Sequence, residues 1–568
     1  MSSGTLAPVS ADNRLLAWGQ KVSVESWIIA GIGLILALQF SEIFRRGINW
    51  DEFNHYHHLW EHARGDLPHV LNTLHSRVFA WVRDLPGNAV DHIIVIRLFM
   101  FAFEIAIVVG MVGIAQRFTS RTIGLLCALA YITFPFVFGH GASFRFDPPS
   151  TGLMMLAMWA LVARPMDIKT IAIAGALIGV AMMVTIKIVL LLPAFAGILW
   201  LRWSKERFAP RFIAQVAATG AVALSVAGVI YILLSMGAAT QEAVNVSTNR
   251  ASGVGSIMFA FEPKPYWITA GVAAIKAPLV TALIALFGYC LYQSERPRAE
   301  KIALGGLFFT LTTLIYYHNT APYFYVFLMP WVLIACAEPM RWVAQRFSPV
   351  LIAAVFTFSG VMTFVGESET PIHKQRTLID TAYATFPEGT VYFDFMGMLA
   401  KFPQANDFMT PLMIRRMHES GSSIYTEAMA ERPVPLLIRN DWYWDQLFLD
   451  PDSAPVLTTG MKIFTDADAA ALRDTYIDFW GPFMVAGEVI PAGESAHAFT
   501  VRVPGPYTVI GASIALGDRT LADGEVIELE RGEYQVTTLR ESAVTLRWGD
   551  GLTVPSAPAP QKPINPTW

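Results

Sequence analysis

Met183-Val184-Thr185-Ile186-Lys187-Ile188-Val189-Leu190-Leu191-Leu192-Pro193 carries a single charge in an apolar run, and its reading decides how the chain crosses a membrane. Taken as one helix, residues 170–201 form one long span; broken at Lys187, they form two short ones. Neither Gly nor Pro adjoins Lys187, so the local pattern leaves both readings open. Charge distribution decides between them. Basic residues gather in cytoplasmic connections. A break at Lys187 puts five basic groups on one face: Arg117 and Arg121; Arg164 and Lys169; Arg202, Lys205, Arg207 and Arg211; Arg296, Arg298 and Lys301; Arg341 and Arg346. A merged helix would send the Arg202–Arg211 group and all that follows to the other side. The Arg45-Arg46 pair runs against the pattern, opposed across the first span only by Arg14 and Lys21.

The wider composition agrees with a chain built for lipid. Of 568 residues 54% are hydrophobic and 15% charged, with mean hydropathy +0.44, too apolar for a soluble protein of this length. A membrane-crossing helix needs about 20 mostly apolar residues. Eleven stretches qualify or come close: 27–43, 93–115, 122–138, 149–163, 170–186, 188–201, 212–236, 267–292, 302–318, 322–338 and 349–366. The expected fold is therefore a polytopic α-helical membrane protein of about eleven transmembrane helices. Cys127, Cys290 and Cys336 each lie within an apolar stretch and read as small buried hydrophobes, not as a disulfide framework or thiolate metal site. A net charge of −4 and the lack of basic runs interleaved with aromatics argue against nucleic acid as a partner.

Sidedness then orders the rest of the chain. Residues 1–26 are polar, lack a signal-peptide pattern and are expected in the cytoplasm, the first span being retained as an anchor. The non-cytoplasmic face receives the loop 44–92, the segment Gly139–Pro149, the Lys187 turn, the connection 237–266, the His318–Pro322 turn and everything after about 367. This is the arrangement of a multi-pass protein of the cell inner membrane whose carboxyl-terminal domain is periplasmic or extracellular. Residues 371–555 have the composition of a soluble domain. An α/β portion holds strand candidates Thr390–Phe395 and Val434–Ile438, and a β-sandwich-like portion holds Ala498–Val503, Tyr507–Ile510, Val526–Leu529 and Tyr534–Leu539. A Pro-rich tail, 556–568, follows.

The unusual polar residues collect on that outer face. Asn49-Trp50-Asp51-Glu52-Phe53-Asn54-His55-Tyr56-His57-His58 follows the first span. A carboxylate there can take a proton from an acceptor hydroxyl, and Asp51 is the candidate base, with Glu52 beside it. The structural alternative makes Asp51 a helix cap, with Trp50 anchored at the headgroups. His55, His58 and His62 share one helical face, which leaves a divalent cation as a weaker alternative to a site with no cofactor. Gly141-Ala142-Ser143-Phe144-Arg145-Phe146-Asp147-Pro148-Pro149 opens the fourth span. Arg145 and Asp147 form either a local ion pair fixing the turn or a phosphate contact with a second acid. Lys187 must snorkel or find an anion, and a lipid phosphate would serve. Lys276, in Ala274-Ile275-Lys276-Ala277-Pro278, repeats that situation or is a snorkelling flank residue. Glu104, inside the second span, fits none of these groups.

Four patterns resemble, in order, the polyprenyl-phosphate-sugar-dependent glycosyltransferases of the GT-C fold, in particular bacterial relatives of protein O-mannosyltransferases and the lipid A aminoarabinose transferase. They are Asp51-Glu52 with Tyr56, Arg145-Phe146-Asp147, the Gly179–Pro193 stretch with Thr185-Ile186-Lys187, and Tyr323–Pro330 ending in Leu-Met-Pro. Lys276-Ala277-Pro278 is also similar to the family's corresponding helix start. The resemblance covers about 27–366 and implies a GT-C-like catalytic domain there. It implies Asp51 as base, with Glu52 and Asp147 as further acids. It also implies phosphate binding by Lys187; Arg145, Arg250, Lys276 and His318 are the candidate helpers, and Tyr56 and Tyr323 the candidate substrate contacts. Tyr317-His318-Asn319 departs from the Arg-Tyr type sequence common in the family.

The implied reaction is an inverting transfer of a sugar from a polyprenyl phosphate to a hydroxyl of a glycan, lipid or protein, at the outer face of the bilayer. Preorganised cations would stabilise the departing phosphate. The connection 237–266, with Arg250 near its centre, is the expected cover over the donor. Three rivals stand beside this reading. A transporter or flippase of a lipid-linked glycan should carry its polar groups near the bilayer midplane, a receptor or scaffold leaves the carboxylate and lysine cluster unexplained, and a glycan polymerase or ligase differs only in using a diphosphate-linked donor.

Overall fold

The computed structural model describes residues 23–67, 69–236, 266–367, 371–406, 409–450, 455–457, 460–492, 496–538 and 542–564. Arg250 and the 237–265 part of the expected cover lie outside the described residues. The chain divides into two compact units: Met1–Phe44, Leu67–His75 and Ile96–Ser368 form the first, and Arg45–Asp66, Ser76–Val95 and Glu369–Trp568 form the second.

The first unit is helical. Among the described residues, six helices are long and apolar enough to cross a membrane: Val24–Arg45, Ala89–Ala115, Ile186–Lys205, Pro210–Met236, Arg298–Tyr316 and Pro349–Gly366. Two bent pairs, Trp267–Lys276 with Pro278–Gln293 and Phe324–Ala335 with Ala337–Ala344, raise the number to eight if each is one span. Arg121–Ile132 and Ile168–Val184 are shorter apolar helices, and Asp147–Ala163 is a 17-residue helix buried along most of its length. By length and composition, six to eight spans pass among the described residues, and the count of about eleven read from the sequence also included the shorter apolar helices.

The breaks have local causes. After Val184 the backbone of Thr185 is extended, its hydroxyl accepts the Lys187 N–H at 3.3 Å, and a tight 3₁₀ segment, Ile186–Leu191, leads into the Leu192–Lys205 helix. The interruption that charge placed at Lys187 is thus present in the backbone. Pro278 cannot donate a backbone hydrogen bond and disfavours helical geometry at Ala277, whose φ of −125° and ψ of 61° open a 103° bend. The stretch 267–292 is therefore two helices at a sharp angle. Gly175 and Gly179 allow the Ile168–Val184 and Pro210–Met236 helices to approach closely: a Cβ on either would come within 2.7 Å of Val222 or 2.5 Å of the Ala223 carbonyl oxygen. Small residues at such spacing are a common device for helix contact in lipid. All three cysteines are buried and unpaired with one another.

The second unit holds eleven strands among its described residues. They are β1 (Tyr392–Phe393), β2 (Leu436–Ile438), β3 (Tyr476–Trp480), β4 (Phe483–Ile490), β5 (His497–Val501), β6 (Gly505–Ile510), β7 (Ile514–Leu516), β8 (Arg519–Leu521), β9 (Val526–Leu529), β10 (Gly532–Thr538) and β11 (Val544–Trp548). One sheet runs β1-β2-β4-β11-β6-β9, with β3 also on β4, and a four-stranded sheet runs β5-β10-β7-β8. Val501, Ile514, Leu521 and Val536 of the smaller sheet share a core with Ile490, Val509, Leu529 and Leu546 of the larger. That is a two-layer β arrangement. β4 joins it to the mixed portion: its first half pairs with β2 and β3 and its second half with β11. The α/β and β-rich portions read from the sequence are continuous through this strand.

Candidate functional site

In the first unit the site is built where three apolar elements end. Pro148 and Pro149 occupy the first turn of the Asp147–Ala163 helix, where missing N–H groups cost least, so Asp147 stands at the helix start. The Thr185 break puts Lys187 on a short 3₁₀ turn, and Tyr323 precedes the Phe324–Ala335 helix. Lys187 Nζ donates to Asp147 Oδ1 at 3.0 Å, and Arg145 Nε lies 3.4 Å from Asp147 Oδ2. All three side chains are buried, so two cations flank one carboxylate in an apolar setting.

Aromatic faces complete this cluster. The Arg145 guanidinium lies 3.3 Å from the centroid of the Tyr323 ring, and Lys187 Nζ lies 4.2 Å from that of Phe146. The rings of Tyr317 and Phe324 are each 5.8 Å from Lys187 Nζ. Such contacts gain strength when cations are desolvated. The Tyr323 hydroxyl donates to Asn319 Oδ1 at 2.9 Å, which ties the ring to the turn before its helix. His75 packs edge-on to Phe146 at 5.6 Å. Of these, Phe146, Tyr317 and Phe324 entered the sequence reading only as parts of quoted stretches and His75 not at all, because an aromatic side chain shows no such role until its neighbour is known to be a buried cation.

The remaining candidates of this unit are placed as follows. Lys276 ends the Trp267–Lys276 helix with an exposed side chain. His318 is half-buried in the bend after Tyr317. Glu104, unplaced by sequence, is fully buried and accepts the Tyr131 hydroxyl at 3.0 Å. A Cβ on Gly141 would sit 2.7 Å from its carboxyl carbon, so the loop leading to Arg145 packs directly on Glu104.

In the second unit, Asp51 and Glu52 open the Trp50–Arg64 helix. The cap is made by Asn49 and Glu52: Asn49 Oδ1 accepts the Asp51 N–H at 3.0 Å, and Glu52 Oε2 accepts the Asn49 N–H at 3.0 Å. This is a reciprocal capping box, and its side chains are Asn49 and Glu52. The capping role that the sequence offered to Asp51 is taken by Asn49 and Glu52. Glu52, fully buried, serves the helix start.

Further along this helix, the Tyr56 hydroxyl is 2.6 Å from His92 Nδ1 and accepts from Trp60 Nε1 at 3.1 Å, and burial pushes its pKa up to about 12. His57 is buried against Gly397, whose φ is +76°, and burial lowers its pKa to about 3, with Arg64 and His58 adding to the effect. His55 and His58 lie with ring centroids 6.1 Å apart. Among the described residues, no group of three His, Cys, Asp or Glu side chains is placed to hold a metal ion.

Residues 75–232 match the family model described as dolichyl-phosphate-mannose-protein mannosyltransferase. The matched stretch contains Arg145, Asp147 and Lys187 and begins after Asp51. No curated protein matches the chain in sequence. Among solved structures, ArnT from Cupriavidus metallidurans bound to undecaprenyl phosphate superposes with a TM-score of 0.52 at 12% identity, covering 78% of this chain and 97% of that one. The Archaeoglobus fulgidus oligosaccharyltransferase in its apo form gives 0.54 at 9% identity, covering 92% and 95%. The same enzyme tethered to an acceptor peptide containing the NVT sequon gives 0.53 at 9% identity, covering 96% and 98%. The resemblance to GT-C-fold glycosyltransferases read from the sequence is thus present in a stretch of sequence and in the fold.

Proposed function

We propose that the protein is an inverting glycosyltransferase that moves a sugar from a polyprenyl-phosphate donor to a hydroxyl acceptor at the outer face of the cell inner membrane. The observation that carries this reading is the buried Arg145–Asp147–Lys187 cluster. Two cations held by one carboxylate, with aromatic faces around them, make a preorganised seat for an anion whose charge grows as a bond breaks. A lipid-linked phosphate monoester is such an anion. Its carrier chain keeps it at the bilayer, where a polytopic scaffold can meet it.

In the proposed reaction, Asp51 takes the proton of the acceptor hydroxyl as its oxygen attacks the anomeric carbon. The bond from that carbon to the phosphate oxygen breaks, and its electron pair leaves with the polyprenyl phosphate. Single displacement inverts the anomeric centre. Lys187 and Arg145 hold the leaving phosphate, with Asp147 fixing both cations. Tyr323 supports Arg145 from below, and Tyr56 is assigned to substrate. Arg250, Lys276 and His318 are proposed as outer contacts to the donor. Glu52 contributes by holding the start of the helix that carries Asp51. No step requires a cofactor.

The test begins with lipid extracts from cells with and without the protein, where an accumulating polyprenyl-phosphate sugar identifies the donor. That lipid fraction is then supplied to the purified protein. Wild type should release polyprenyl phosphate, Asp51→Asn should fold and release none, and Lys187→Ala should raise the donor KM. Wild-type turnover by Asp51→Asn, or no accumulating lipid-linked sugar, overturns the reading.

A further inference from the structure

Gln375 makes an unusual connection within the second unit. It lies in the first turn of the Ile372–Thr385 helix and has no exposed surface. Its Oε1 accepts the backbone N–H of Ile48 at 2.7 Å, and its Nε2 donates to the backbone carbonyl of the same residue at 2.8 Å. One side-chain amide therefore satisfies both polar backbone groups of one residue 327 positions earlier. Ile48 is itself fully buried, so both groups would otherwise lack water as a partner.

The position of Ile48 gives the contact its meaning. It immediately precedes Asn49, the cap of the Trp50–Arg64 helix, and stands three residues before Asp51. Holding the N–H and C=O of Ile48 together fixes the peptide planes on both of its sides, and so the direction in which the helix starts. The same Ile372–Thr385 helix grips the other end of this loop. Arg376 Nη2 reaches Asp91 Oδ1 at 2.6 Å, and Asp380 Oδ1 accepts from Asn88 Nδ2 at 2.9 Å. The Ile372–Thr385 helix thus braces both ends of the segment that bears the acidic pair.

We infer that Gln375 is a positioning residue for Asp51, which makes the helix after the last membrane stretch part of the transfer machinery. This inference rests on the reading of Asp51 as the base. Groups that act through general-base chemistry must be held within a few tenths of an ångström of their productive place. A two-point clamp on the backbone beside them does that where a single bond would leave a rotation free.

The test uses the full-length protein in detergent with the donor-lipid fraction defined above. Gln375→Met keeps the volume and removes both bonds; Gln375→Glu keeps the acceptor for the Ile48 N–H and sets a carboxylate oxygen against the Ile48 carbonyl. Gln375→Met should lower kcat tenfold or more with donor KM within about twofold of wild type. Hydrogen exchange at the Ile48 amide should accelerate, while the amides in the middle of the Trp50–Arg64 helix stay protected. Gln375→Glu should retain slow exchange at Ile48 and still lose kcat, and it decides the matter alone if the Met variant fails to fold. Unchanged kcat in both variants, in a protein whose Asp51→Asn form is inactive, overturns the inference and leaves the base assignment intact. Wild-type turnover by Asp51→Asn removes the base assignment, and the inference falls with it.

Discussion

Lys187 Nζ sits 3.0 Å from Asp147 Oδ1, so the lysine that had to find an anion in an apolar stretch has found one supplied by the protein itself. A phosphate arriving there meets a cation already oriented, not one to be recruited from a flexible chain. The ordering cost is met at folding, and the carboxylate tempers the charge that the scaffold must bury.

This pairing predicts a specific pattern of stabilities. Removing one partner of a buried ion pair costs about 3–5 kcal/mol because the other charge stays behind, whereas removing both is often nearly neutral. Asp147→Asn, which takes the carboxylate from two buried cations, should lower the thermal midpoint in detergent more than Lys187→Met, which leaves Asp147 with Arg145. The double variant should recover part of the Asp147→Asn loss, since Arg145 keeps its charge. All three should be inactive in transfer. A double variant no more stable than Asp147→Asn alone would mean the two charges do not depend on one another.

The Tyr323 ring supports Arg145 through its face, so the ring matters more than the hydroxyl. A desolvated cation–π contact contributes about 2 kcal/mol, equivalent to roughly thirtyfold in a binding constant. Tyr323→Leu should raise the donor KM by about that factor. Tyr323→Phe, which loses only the bond to Asn319, should remain within about threefold of wild type. Steady-state kinetics on the two variants checks this, and equal losses would refute it.

Gly141 is required by the Glu104 carboxyl packed against it. Gly141→Ala forces the loop toward Arg145 to move, and overpacking of this kind costs about 1–3 kcal/mol. Transfer activity should fall with stability. Adding Glu104→Ala opens the space again, so the double variant should regain part of both, as thermal unfolding and turnover would record.

His57 gives the second unit an acid limit. Its pKa is lowered to about 3 in the fold, against about 6.5 when unfolded. For a base whose folded value lies below its unfolded one, stability is fully present above pH 6.5 and is lost as pH falls toward 3. The slope is about 1.4 kcal/mol for each pH unit in that window. His57→Gln should flatten the decline of the thermal midpoint between pH 6.5 and 4.5. An unchanged slope would assign the acid sensitivity elsewhere.

What the sequence revealed and what it hid follow from how far each cause reaches along the chain. The interruption at Lys187 was legible because sidedness of distant basic groups demanded it, although nothing local did. The 103° bend at Ala277-Pro278 had a local signal that was passed over, since the residues on both sides stay apolar. Glu104 made no sense in isolation because its partner, Tyr131, is 27 residues away on another helix. The cap around Asp51 was misattributed because three polar side chains within four residues were all suited to it, and only geometry separates Asn49 and Glu52 from Asp51. Among the strands, Val526–Leu529 coincides with β9, whereas β4 went unread. Phe483–Ala486 is buried on both faces, so the alternation that marks a half-exposed strand is absent there.

β4 has consequences for how this protein can be taken apart. With partners from both portions hydrogen-bonded along its eight residues, any excision between Tyr392 and Trp548 strips neighbours from the same ribbon. A shortened version lacking the β-rich end would leave β4 bare along its second half, an open edge ready to pair with other chains. The tail should be inherited, grafted or lost as one piece, and nicking it by protease should release no stable half.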